Sequence, residues 1–171
     1  MQRQFHGVTS IANRYFQASS LAELGDTEEA IRILRELEQE KLTDLWRSVI
    51  RRDRALHEGK RDESLEANEW IIAHSADVES LAWAGRAFAF FDARTRAFSA
   101  LNRSFDRGFN VYRLLTREDP WLDSLRETPE FEDLLQRSES KYLEAVAAFR
   151  EVGGEQVLGV AALGRDALRE R

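Results

Sequence analysis

An all-α chain of stacked helical hairpins is the fold class this sequence predicts, and three observations predict it. Two prolines and nine glycines in 171 residues, with Leu, Ala, Glu and Arg dominant, leave few interruptions to helix. Between Val78 and Phe109, Leu81, Ala84, Gly85 and Phe88 recur at i, i+3, i+4 and i+7, and Ala97, Leu101, Ser104 and Phe105 repeat the pattern. A turn residue recurs at intervals of 34 and 33 residues: Gly25 in ELGDTEEAI, Gly59 in EGKRDESL and Asp92 in FDARTRAF. Five residues after each stands a small residue, Ala30, Ser64 or Ala97. A lone hairpin cannot bury its contact face, so the period implies neighbours stacked on one another. The expected organisation is one domain: three hairpins over about 8–42, 43–76 and 77–109, a helical cap over 110–164 and a fraying charged tail over 165–171.

The first helix is expected from about Val8 to Leu24, with Ile11, Tyr15, Ala18, Leu21 and Ala22 inward, and Gly25 ends it. Asp26 reads as the next N-cap, with Glu29 completing an arrangement like a capping box. That helix runs to about Glu40 and buries Ala30, Ile31, Leu34 and Leu37. Thr43 or Asp44 caps the third helix, whose apolar positions are Leu45, Trp46, Val49, Ile50 and Leu56, and Gly59 stops it. A fourth helix, about Asp62 to His74, offers Leu65, Trp70, Ile71 and Ile72; Ser75 to Asp77 breaks it and caps the next. The third hairpin runs to Gly108. Asn110 to Arg126 is too interrupted for another hairpin. Asp119-Pro120 and Thr128-Pro129 each pair an N-cap with proline at the first helical position. The second opens a helix with Phe131, Leu134 and Leu135. A last long helix is expected over about Ser138 to Val152, with Tyr142, Val146 and Phe149 inward, ended by Gly153-Gly154. Gln156 to Gly164 reads as a short apolar turn.

A short turn flanked by two helices at a 34-residue period resembles the tetratricopeptide repeat, and the third copy carries the resemblance best. Where that family has W-x2-L-G-x2-Y followed by A-x3-F, this chain has Leu81-x2-Ala84-Gly85-x2-Phe88 and Ala97-x3-Leu101. In the first copy Ala18, Leu21, Ala30, Leu34 and Leu37 fit, while Arg14 and Gln17 depart. In the second, Ala55, Ser64 and Ile71 agree, whereas Ser48, Arg51, Arg52 and Asn68 do not; a slide by one residue brings Val49 and Leu56 into line, which leaves two registers open. The C-terminal part is similar to the endings of repeat arrays in multidomain bacterial signalling proteins, through Gly108, Phe109, Tyr112, Leu115, Asp119, Pro120, Leu122, Leu125, Arg126, Pro129, Phe131, Leu134 and Leu135, then Gly153, Gly154 and Leu158. There such arrays follow a kinase, a cyclase or a winged-helix domain. The first resemblance implies a right-handed superhelix whose inner face is lined by the first helix of each hairpin. Carried over, the groove positions are Tyr15 and Ser19, then Trp46, Val49 and Asp53, then Glu79, Ala82 and Arg86. Their mixed character suits a peptide or partner helix.

Composition narrows the function. A net charge of −6 argues against a direct nucleic-acid role. With no cysteine there are neither disulfides nor thiolate metal sites, in keeping with a reducing cytosol. No apolar run approaches the ~20 residues that span a bilayer, and MQRQFHGVTS is not a secretory signal; a soluble cytoplasmic protein with no membrane partner is expected. From Leu45 to Arg61 six basic residues (Arg47, Arg51, Arg52, Arg54, Lys60, Arg61) accompany only Asp53 and Glu58. The plain reading is a solvated helix face; the sharper one is a basic patch for an acidic peptide. His6, His57 and His74 are scattered and read as solvated side chains. Trp46, Trp70, Trp83 and Trp121 read as packing residues, with a ligand cage as the alternative. The expectation is a non-catalytic interaction module without cofactor or metal. Its alternative is the regulatory or self-associating C-terminal arm of a larger signalling enzyme or transcription regulator.

Overall fold

The computed structural model describes residues 3–116 and 119–158, with side chains described from Ile11 onward. Among the described residues there are helices and no strand. Six long helices pair in chain order: α1 (Arg3–Glu23) with α2 (Thr27–Glu38), α3 (Asp44–His57) with α4 (Arg61–His74), and α5 (Val78–Phe90) with α6 (Arg94–Asp106). Each hairpin packs on the next through α2 against α3 and α4 against α5. Then come α7 (Tyr112–Thr116), a 3-10 turn (Pro120–Leu122), α8 (Asp123–Arg126), α9 (Pro129–Glu151) and α10 (Gly154–Val157). Among the described residues no helix is long and apolar enough to cross a membrane.

The three hairpin turns share one backbone geometry, which is the physical content of the sequence period. Gly25, Gly59 and Asp92 all take positive φ, at 91°, 71° and 54°. At each, the turn N–H donates three residues back and the following N–H donates five residues back: Gly25 to Ala22 and Asp26 to Leu21, Gly59 to Leu56 and Lys60 to Ala55, Asp92 to Ala89 and Ala93 to Phe88. This pair of hydrogen bonds closes a helix when the turn residue is left-handed, a conformation that glycine adopts freely and aspartate tolerates. The small residues that follow, Ala30, Ser64 and Ala97, are fully buried. At Gly85 the helices of the third hairpin come so close that a Cβ would lie 2.7 Å from the Leu101 side chain.

Counting from these turns resolves the register of the second hairpin without a slide. Arg52 stands where Ala18 and Gly85 stand, and Asn68 where Leu34 and Leu101 stand. Both are buried. Their polarity divides the interior. One apolar cluster joins the first hairpin to α3 through Ala18, Ile33, Leu34, Leu37 and Ile50. The other joins α4, the third hairpin and the C-terminal segment through Leu65, Phe88, Leu101, Leu115, Leu122, Leu125 and Leu134. Between them runs a polar seam.

Several helix ends follow the expected capping. Asp26, Thr43, Asp77, Asp119 and Thr128 each accept a backbone N–H from the turn they open. Glu29 does not close a capping box: its carboxylate pairs with Arg32 instead, Nε to Oε2 2.7 Å. The first helix starts earlier than expected, at Arg3. The two helices expected after Thr128 are one, because nothing between Gln136 and Ser140 breaks the ladder of α9. Its second half is largely exposed, including Leu143, Phe149 and Val152, so Phe149 is not the inward residue expected. The aromatic ring of Phe149 instead covers Gly154, where a Cβ would lie 2.2 Å from it. The residues from 159 on, including most of the expected apolar turn and the charged tail, lie outside the described residues.

Candidate peptide-binding cavity

Where α1, α3 and α5 come together they leave a cavity of about 730 Å³, closed at one side by Trp121 of the 3-10 turn. Its base is the polar seam. Arg52 Nε and Nη2 donate to the two carboxylate oxygens of Asp53 at 2.6 and 3.0 Å, and the Tyr15 hydroxyl donates to Asp53 Oδ2 at 2.5 Å. Burial by itself raises a carboxyl group. Here the Arg52 charge and the hydrogen bonds from Arg52 and Tyr15 outweigh it and hold Asp53 below the ordinary carboxylate range. The same burial, helped by the neighbouring Asp53 charge, pushes the Tyr15 hydroxyl up. His57 also lines the cavity and is pushed down, first by burial and then by Arg86 and Arg52 against the opposing pull of Asp53, which favours the neutral imidazole.

The walls are aromatic. On one side Tyr15 meets Phe16 and Trp46 edge to face, at centroid separations of 5.5 and 5.4 Å. On the other, the Arg86 guanidinium lies 3.9 Å from the ring centroid of Trp121 and 5.5 Å from that of Trp83. Phe90 stands 5.1 Å from Trp121 and His57 6.2 Å from it. One buried carboxylate arranges this wall. Asp119 pairs with Arg86 through both oxygens and also accepts the backbone N–H of Trp121, so the cap that opens the 3-10 turn holds that residue beside the guanidinium. The C-terminal segment therefore supplies part of the cavity besides covering the last hairpin.

Seven of the eight groove positions named from the sequence line this cavity: Tyr15, Ser19, Trp46, Val49, Asp53, Glu79 and Arg86. Ala82 does not. It is buried in the second apolar cluster with Leu65, and the cavity face of α5 is offset from it by one residue, to Trp83. The basic cluster is corrected more deeply. Arg52 and Arg54 are buried, and Arg54 is shared among Glu38, Glu58 and Glu63. Arg51 pairs with Glu63 and Glu66, and Lys60 with Glu58. Folding brings in carboxylates from α2 and α4 that proximity along the chain does not show, so no free basic patch forms; Arg47 is exposed and pairs with no described residue.

The reading of His57 is corrected too, while the tryptophans divide between packing and cavity wall, Trp46 doing both. Trp46, Trp83 and Trp121 line the cavity, and only Trp70 is elsewhere, stacked on His74 at 4.5 Å. His57 is half-buried among the cavity residues and not a solvated side chain. His6 lies outside the residues whose side chains are described. Phe16 and Phe90 escaped the sequence reading, although Glu79, Trp83, Arg86 and Phe90 form a stripe at helical spacing beside the core stripe of α5. Trp121 carries no such signal, since no period extends into the C-terminal segment. Among the described residues no group of three or more His, Cys, Asp or Glu side chains could hold a metal ion. Comparison with known proteins gave no match to a family model, a curated protein or a solved structure.

Proposed function

We propose that this chain is a non-catalytic interaction module of the tetratricopeptide kind, which takes up a peptide segment of a partner protein in the cavity between α1, α3 and α5. The observation that carries this reading is the open aromatic wall. Phe16, Trp83 and Phe90 line the cavity yet keep 61%, 36% and 45% of their surface in contact with solvent. Large rings held out by rigid helices lose little freedom when a ligand covers them, and such rings dominate binding energy at protein interfaces. Tyr15, Arg52 and Asp53 at the base are hydrogen-bonded to one another, which favours a fixed binding surface over proton transfer or nucleophilic attack. A chain without cysteine suits the reducing cytoplasm as its place of work.

Selection of a random dodecapeptide phage library against the immobilised protein tests the reading. Enriched peptides are expected to bind at least about tenfold more weakly to a triple Phe16→Ala, Trp83→Ala, Phe90→Ala variant, since a single aromatic anchor contributes about 2 kcal/mol or more. The three rings are exposed, so the variant should melt close to the parent. Enrichment of peptides that bind parent and variant equally, or no enrichment, would count against the cavity as the binding site.

A further inference from the structure

The charge of the cavity restricts what can enter it. Six ionised side chains line it: the cations Arg52 and Arg86, and the carboxylates Glu23, Asp53, Asp77 and Glu79. The cations are neutralised in place, Arg52 by Asp53 and Arg86 by the buried Asp119 behind it. The cavity is therefore net negative as well as aromatic. Its carboxylates are unequal in depth: Asp53 is buried at the base, whereas Asp77 and Glu79 are exposed at the start of α5. Glu79 stands one helical turn from Trp83 and accepts its indole N–H at 3.3 Å. A partly exposed indole therefore lies beside a carboxylate at the rim.

Resting on the peptide-binding reading above, we propose that the occupant is a segment in which lysine or arginine adjoins an apolar side chain, the apolar group entering between the aromatic walls and the cation lying at the Asp77–Glu79 rim. Three features of the cavity fit that chemistry together. Ring faces attract a cation through their quadrupole, most strongly where water is partly excluded. Rim carboxylates add a Coulomb attraction that steers the approach and fixes the register of the segment. An acidic segment meets like charge there, and Arg52 and Arg86 cannot relieve it without giving up buried carboxylate partners, which is costly. The basic cluster of α3 does not reverse the balance, because its arginines that reach the protein interior are already paired.

The test uses three dye-labelled dodecapeptides of Gly/Ser background that share a central pair of leucines and differ only in the two flanking positions, both Lys, both Gln or both Glu. Fluorescence anisotropy titrations are run against the full chain and against an Asp77→Asn, Glu79→Gln double variant. Asparagine still caps α5, and glutamine still offers the Trp83 indole an acceptor, so the fold is retained. The expected order is Lys, then Gln, then Glu, with the Lys peptide at least about tenfold tighter than the Glu peptide and the gap narrowing as salt rises. In the double variant the ratio of Lys-peptide to Gln-peptide affinity should fall severalfold. Equal affinities, a preference for the Glu peptide, or an unchanged Lys advantage in the double variant would overturn the cationic occupant and leave the peptide reading standing. No binding by any of the three at millimolar concentration would overturn both.

Discussion

Replacing Asp53 by alanine is expected to destabilise the protein by about 3–5 kcal/mol, because it strands a buried guanidinium. Arg52 is 4% exposed and stands where the other hairpins carry Ala18 and Gly85, so the polar seam has no solvent to which it can turn. Asp53 accepts two of its hydrogen bonds. A double Arg52→Met, Asp53→Leu variant should recover most of the loss, since apolar residues of similar volume replace a buried pair at little net cost. Tyr15→Phe removes one hydrogen bond to the same carboxylate and should cost nearer 1 kcal/mol. Urea denaturation of the four proteins measures this series. The pH dependence has a fixed sign. The folded Asp53 carboxyl lies below its ordinary value, so its contribution is complete above the unfolded value of about 3.9 and is lost as pH falls toward the folded one. The gap between parent and Asp53→Ala should therefore be full above roughly pH 5 and shrink in stronger acid. A gap that is constant with pH, or below about 1 kcal/mol, would show that the pair is solvated.

Phe88→Ala should produce a loss of the same order, about 3–5 kcal/mol, by a different route. Among the described residues Phe88 is the largest fully buried side chain, and it sits in the cluster that ties the third hairpin to α7, α8 and α9. Truncation removes the transfer free energy of the ring and leaves a void that neighbours such as Leu101 and Leu122, themselves fully buried, can fill only in part. Thermal melting should fall by on the order of 10 °C for a domain of this size. Phe16→Ala, at an exposed ring on the cavity wall, should change stability by no more than about 0.5 kcal/mol. Equal melting of the two variants would place Phe88 outside the core.

The contrast between these residues also shows how far the sequence could be read. The hairpins were legible because a 34-residue period and a left-handed turn residue are local properties, and Gly25, Gly59 and Asp92 display both. The second hairpin resisted because its buried Arg52 and Asn68 break the apolar pattern, and burial of a charge depends on a partner that pattern matching does not weigh. Most groove positions followed from the groove that the tetratricopeptide resemblance implies, yet Ala82 did not, because the cavity face of α5 is offset by one residue toward Trp83. Arg51 and Arg54 looked free along the chain because Glu38, Glu63 and Glu66 reach them only after folding. Trp121 was the least legible, since Asp119 places it by pairing with Arg86, 33 residues earlier in the chain.

Central to the proposed function is a cavity whose aromatic walls would receive a peptide, and the four indole N–H signals test it directly. Trp46, Trp83 and Trp121 line the cavity, and Trp70 lies away from it against His74. In a two-dimensional ¹H–¹⁵N NMR titration with a selected peptide, the first three indole signals are expected to shift together along one saturable curve while that of Trp70 stays in place. Movement of Trp70 with the other three unchanged would contradict the assignment of this cavity as the binding site.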